Sequence, residues 1–408
     1  MKRIVYREWH LAPQRYWGLL ALLAIVAGIG GLAFWYMEHQ GHWVTGMTNE
    51  IVWGTPHLFA IFLIVAASGA LNLASIGTVF GKTPYQPLGR FSGLLAVALL
   101  IGGLLVLVLD LGRPDRLIVA MTSYNFRSIF AWNVLLYTGF IAIVLAYLVT
   151  MMDRRLRAYY KAAGTLAFTW RLLLTTGTGS IFGFIVARQA FDTAVLAPMF
   201  IVMSFLYGLA VFILVLMFAC AQDERPIGAY LLNRLKGLMA IFIAGVLLFI
   251  LIYFLTKLYG AKNYDLVNYY LVSGGRYTVA FWFGWVFLGL LAPFGIILHP
   301  VLGQDRRWLA GACALVILGG MASLYVLVIG GQAFPMSLFP DQPILESGFH
   351  DGVGGQISGY APTMPEFLLG LGGVAVAMLI TAVGLRALQL LPESLADKEV
   401  DPHAAVKA

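Results

Sequence analysis

Three short segments place ionisable side chains at the ends of long apolar runs. Trp53–Gly–Thr–Pro–His57 opens one run, Asp110–Leu–Gly–Arg–Pro–Asp–Arg116 closes the next, and Tyr124–Asn–Phe–Arg–Ser128 opens the one after it. An ionisable group at bilayer depth is disfavoured by at least about 2.5 kcal/mol, so such groups gather where they bind or transfer something. His57 falls about one turn inside its run, at the edge of hydrocarbon. An imidazole there can hydrogen-bond a quinone carbonyl and pass a proton, since imidazoles as a class titrate near ambient pH. A histidine satisfied by neighbouring backbone at the interface fits the same position. Asp110 and Arg113 suit a helix-end ion pair, with Gly112 ending the helix and Pro114 preventing its continuation. The functional version keeps that pair and adds Arg116 and Arg127 as a positive outer patch around a carboxylate. Such a patch could hold an anionic reduced intermediate or dock an acidic partner, and loss of Arg113 would then strand Asp110 without its counter-charge.

Arg171 is the other costly residue. It lies about nine residues into its run, roughly 13 Å deep at the helical rise. Snorkelling back to the nearer interface is one reading. The other lines a proton path with Thr175, Thr176 and Thr178, with His299 as its inner mouth or as an interfacial cap.

The elements that must position these groups follow from composition. Of 408 residues, 61% are hydrophobic and 11% charged, far below the quarter charged in soluble domains. The sequence predicts an all-α integral membrane protein of about ten spans, near 17–37, 54–79, 91–110, 128–150, 163–184, 195–220, 237–257, 277–298, 308–330 and 366–391. The first run has a basic start but is too long for a signal-peptide core, so it reads as a retained helix. The net charge of +7 resides in short loops, which argues for membrane orientation and against nucleic acid. The N-terminus, the alternate loops and the C-terminus carry 19 Lys and Arg against 7 in the intervening loops, so both ends are expected in the cytoplasm.

A loose parallel repeat divides the single membrane domain. Glu50 to Pro56 leads into a run containing Ser68–Gly69, and Asp192 to Pro198 leads into one containing Ser204 and Gly208. The expected parts are 1–53 with flanking helix 1, four-helix bundles at 54–190 and 191–330, an outer loop 331–365, and 366–408 with flanking helix 10 and the tail. That loop has five prolines, six glycines, no Lys or Arg and the acids Asp341, Glu346 and Asp351, and is read as a docking loop.

Cys220 and Cys313 stand alone inside apolar runs, with no CxxC or Cys/His cluster. No iron–sulfur cluster, c-type haem or metal site is therefore expected in this protein. Of the seven histidines only His57 and His299 are in or against spans, and topology puts them at opposite faces, so no bis-His haem is expected. A pair of His39 or His42 with His57 stays open.

W-G-x-P at the start of helix 2, D-L-G-R-P-x-R after helix 3 and N-x-x-S before helix 4 together resemble the NrfD/PsrC-type family of polysulfide-reductase-like membrane subunits, over helices 2–9. Tyr360–Ala–Pro–Thr–x–x–Glu366 resembles the ten-helix branch, which includes hydrogenase-associated and sulfite-reductase-associated subunits. The resemblance implies a site for menaquinone or ubiquinone near the periplasmic face, no tightly bound cofactor, and a periplasmic ferredoxin-like iron–sulfur subunit with further redox subunits, in a bacterial inner membrane. By position it puts Trp53, His57, Asp110, Arg113, Arg116, Asn125 and Ser128 at the quinone site. Hydrogenase-type relatives tend to carry a His shortly before a Ser-x-x-Gly in the fifth helix. Here Thr178 precedes Ser180–Ile–Phe–Gly183, which favours the sulfite-reductase-associated branch of sulfur metabolism. A secondary transporter is the competing class, but transporters place sites at the midplane on broken helices. Here polar residues gather at the outer ends, and Pro293 is the notable mid-helix break.

Overall fold

The computed structural model describes residues 4–335 and 359–402, so most of the expected docking loop 331–365 lies outside the described residues. Ten long helices form the fold: α1 Pro13–Gln40, α2 Thr55–Thr78, α3 Gly89–Leu109, α4 Ile129–Met152 and α5 Tyr160–Gly183. They continue as α6 Leu196–Gln222, α7 Ala229–Tyr259, α8 Arg276–Leu298, α9 Arg306–Ala333 and α10 Met364–Ala387. Nine of them are long and apolar enough to cross a membrane, among the described residues. The exception is α5, equally long at 24 residues but diluted by Lys161, Arg171 and a Thr/Gly-rich second half. It packs beside α2, α4 and α6. The all-α membrane class is as the sequence predicts. The largest boundary error is at α7, which begins at Ala229 rather than 237, because Asn233, Arg234 and Lys236 interrupt the apolar signal without interrupting the helix.

The core sits on α2, 89% buried along its most apolar window, whereas α1 is 11% buried and leans chiefly on α10. Lipid cannot drive helices together by hydrophobicity, so close backbone approach does. A Cβ on Gly69 of α2 would fall on the Ser204 carbonyl of α6, and one on Gly208 would fall on the α2 backbone. Gly30 of α1 meets Gly372 of α10 in the same way, an added Cβ lying 2.7 Å from its Cα. In α8, residues Ala280–Leu291 are π-helical, and the regular helix resumes at Ala292–Leu298 around Pro293, which has no N–H to give. The two ends of the protein meet on one face: Tyr6–Arg7 pairs antiparallel with Leu391–Pro392, and Arg386 donates to the Trp9 carbonyl at 3.0 Å.

Candidate functional site

The start of α2 is built from glycine, a proline and a buried acid. A Cβ on Gly54 would lie 2.5 Å from Glu366 Oε1 and 2.9 Å from Tyr360 Oη, so only glycine fits. Thr55 N–H donates to Tyr360 Oη at 2.6 Å, and Tyr360 donates to Glu366 at 2.8 Å. Glu366 also accepts from Gly46 N–H at 3.2 Å and from Thr363 N–H at 2.7 Å, the latter completing the capping box of α10. This network fixes the first turn of α2, and His57 sits on it. At the other wall, α3 ends with Asp110 N–H on the Val106 carbonyl, and Gly112 reverses the backbone at φ +65°. That reversal sends Asp110 inward and Arg113 outward.

Asp110 therefore meets His57 instead of Arg113. His57 Nδ1 and Asp110 Oδ2 are 2.7 Å apart, with side-chain exposures of 15% and 0%. The approach is close but not in line for a hydrogen bond, and neither Asp110 oxygen has a hydrogen-bond partner among the described residues. Arg113 instead pairs with Asp115 in the open, Nε to Oδ1 at 3.1 Å. Asp115 hydrogen-bonds and attracts Arg113, raising the guanidinium above its ordinary value, and Asp115 is held below the usual carboxylate range by the same bond. The expected Asp110–Arg113 pair is thus corrected, and with it the expected cost of losing Arg113. An exposed pair contributes little, so Arg113→Gln should leave complex abundance and turnover within about twofold of wild type. Severe loss of quinone-dependent turnover in that variant would contradict the geometry.

Asp110 and Arg113 line a cavity of about 700 Å³ at the end of α3, whose other wall is the loop from His42 to Val52. Trp53, His57, Arg116, Asn125 and Ser128 are not among the residues that line it, so His57 reaches the cavity only through its contact with Asp110. The Trp53 backbone is clamped by Gln332, and its ring packs edge-on to Phe182 at 5.3 Å. Asn125 Oδ1 accepts Arg127 N–H at 3.0 Å, Ser128 precedes α4, and Arg116 is exposed. Arg188 was missed from sequence: it donates to the Glu50 carbonyl at 2.7 Å and to the Gln332 carbonyl, tying the cavity loop to α9.

Arg171 does not snorkel. It is 0% exposed, with Nη2 on Asn72 Oδ1 at 2.7 Å and the guanidinium over Phe205 at 4.9 Å and Phe168 at 5.0 Å. Its Nε and Nη1 have no hydrogen-bond partner among the described residues. Thr175 donates to the Arg171 carbonyl at 2.7 Å and Thr178 to the Leu174 carbonyl at 2.9 Å. Asn72, the one amide in α2, was the legible signal for this partner. His299 is exposed, and its Nδ1 accepts from Val301 and Leu302 N–H at 3.2 Å each, as an interfacial cap would.

A carboxylate that lines a cavity at the end of two spans and touches an imidazole behind it is an arrangement suited to moving a proton. The family described as Polysulphide reductase, NrfD matches residues 43–336. The chain belongs to the NrfD family. An Hdr-like menaquinol oxidoreductase integral membrane subunit of Archaeoglobus fulgidus is 30% identical over 394 residues, 95% of this protein and 96% of that relative. A selenate reductase subunit of Mesobacillus selenatarsenatis is 23% identical over 93% of this protein and 95% of its own length. A polysulfide reductase polypeptide of Wolinella succinogenes is 24% identical over 70% of this protein and 96% of its own length. The NrfD match takes in α2 to α9, hence His57 and Asp110, and leaves α1 and α10 outside it.

Proposed function

We propose that this protein is the quinone- or quinol-handling membrane subunit of a respiratory redox complex in sulfur metabolism, exchanging electrons with a periplasmic iron–sulfur partner subunit. The observation that carries the reading is the buried Asp110–His57 contact at this cavity. The unsatisfied Asp110 oxygens and the cavity beside them suit a ring that exchanges hydroxyl protons when it changes redox state. A relative named a menaquinol oxidoreductase subunit supports the same carrier class. Asp110 faces the carrier across the cavity wall, His57 behind it moves the proton, and the capped start of α2 keeps the pair in register. The basic excess on one set of loops supports cytoplasmic ends in a bacterial inner membrane, and the repeated entries to α2 and α6 support two four-helix bundles.

His57→Leu is expected to lower turnover of the intact complex with a soluble quinone analogue at least about tenfold, with assembly unchanged. Wild-type turnover in that variant would sink the reading. The isolated cysteines also lead us to expect that the protein purified alone shows no haem Soret band and no iron–sulfur signal; a stoichiometric pyridine haemochrome would overturn this.

A further inference from the structure

A second titratable pair reaches the same cavity through His42. Glu38, near the end of α1, lies 3.5 Å from His42 (Oε1 to Nε2), with side chains 28% and 29% exposed. Gly41, at φ +91°, turns the backbone between them, and Thr45 N–H fixes the turn by donating to the His42 carbonyl at 3.1 Å. The His42 ring lies against the α3 turn, where a Cβ on Gly112 would sit 3.4 Å from its Cδ2 and Nε2. The glycine that sends Asp110 inward therefore also receives His42, and both residues line the cavity. His42 touches Glu38 of α1 and shares the cavity with Asp110 and Arg113 from the α3 turn and Glu50 from its own loop. Arg113 is engaged with Asp115, and Glu38 adds to the field that favours its charge. The other histidine of this helix end, His39, is stacked on Trp35 at 5.2 Å and does not line the cavity.

We propose that Glu38 and His42 form a second acid–base pair of this cavity, carrying one of the two protons moved in each two-electron turn between the carrier's ring oxygens and the outer water. The proposal rests on the quinone reading above. Oxidation of a hydroquinone releases two hydroxyl protons while two electrons pass to the iron–sulfur centres of the partner. His57 takes one proton and His42 the other, Glu38 carries the counter-charge, and the part-exposed His42 ring hands its proton to water. Reduction runs the same transfers in reverse. Two ring oxygens need two proton carriers, and a single buried histidine would have to discharge between the two transfers. The flanking helix α1 thereby contributes to the site it borders.

The test uses the intact complex carrying His42→Ala or Glu38→Gln, assayed with a soluble quinone analogue. His42→Ala is expected to lower kcat about ten- to hundredfold at unchanged KM, with millimolar imidazole restoring much of the loss. Glu38→Gln should lower kcat by a smaller factor than His42→Ala, because the ring keeps its nitrogens but loses the counter-charge of its protonated form. Calorimetry with heptyl-hydroxyquinoline N-oxide in two buffers of different ionisation enthalpy gives a readout apart from turnover. His42→Ala should bind it with a Kd within about threefold of wild type but lose the linked proton. Normal kcat with normal proton linkage overturns the relay, and so does a kcat loss that imidazole leaves untouched. An inactive His57→Leu complex beside a normal His42→Ala complex removes only the relay, whereas full activity in both removes the quinone reading itself.

Discussion

Asp110→Asn is expected to lower quinone-dependent turnover about a hundredfold while leaving the complex assembled. The side chain is wholly buried, with one carboxylate oxygen 2.7 Å from His57 Nδ1. Asparagine has nearly the same shape, and because a histidine can be neutral the change strands no buried charge, so little stability is lost. A purely structural Asp110 therefore predicts normal abundance and normal turnover. A catalytic pair predicts normal abundance and a severe rate loss, because His57 loses the carboxylate that supplies the counter-charge for its protonated form. The two are separated by assaying subunit stoichiometry and kcat on the same preparation. Asp110→Asn at the wild-type rate would take the pair out of the mechanism. Asp110→Glu is the informative companion. It keeps the charge but adds a methylene in a packed site, so a partial rate with altered KM is expected.

The helices were legible because each is a long apolar run, and a run of that length has few other fates. α5 shows where the signal thins: Lys161, Arg171 and the Thr/Gly-rich stretch lower its hydropathy, yet its length and its neighbours α4 and α6 still place it. The positions of His57 and Asp110 were legible for the same reason, as titratable groups at the ends of apolar runs. Their pairing was not. Spacing along the sequence puts Arg113 within reach of Asp110, but the φ of +65° at Gly112 turns the two side chains apart, and α2 fills the gap with a histidine distant in sequence. Trp53 shows a related limit: an aromatic residue beside a candidate site reads as part of it until packing against Phe182 and the clamp from Gln332 turn it elsewhere. Arg171 was recognised as costly, but its partner lies on another helix, and only the isolation of Asn72 among apolar residues hinted at it. Glu366 was visible in a motif, yet its use as a shared anchor for α10 and the start of α2 depends on Gly46, Gly54 and Tyr360 converging from three segments.

Gly69→Val is expected to reduce the folded protein recovered from the membrane to less than about a tenth of wild type. Gly69 on α2 and Ser204 and Gly208 on α6 are where the two helices cross. At Gly69 the added Cβ meets the Ser204 carbonyl, and at Gly208 it meets the backbone of Gly69 and Ala70. These neighbours are main-chain atoms held in two helices and cannot rotate aside as a side chain can, so the helices must separate. Separation exposes Ser68, whose hydroxyl donates to the Arg171 carbonyl at 3.2 Å, and loosens the contact between α2 and α5 as well. The loss therefore spreads through the most buried helix of the fold. Gly69→Ala should be intermediate, and Gly28→Val is the control, since a Cβ at Gly28 has nothing within 4 Å. Monodisperse recovery by fluorescence-detected size exclusion, with protease resistance of the membrane fraction, reads the outcome directly. Equal recovery of Gly69→Val and Gly28→Val would mean that α2 and α6 do not cross at these glycines.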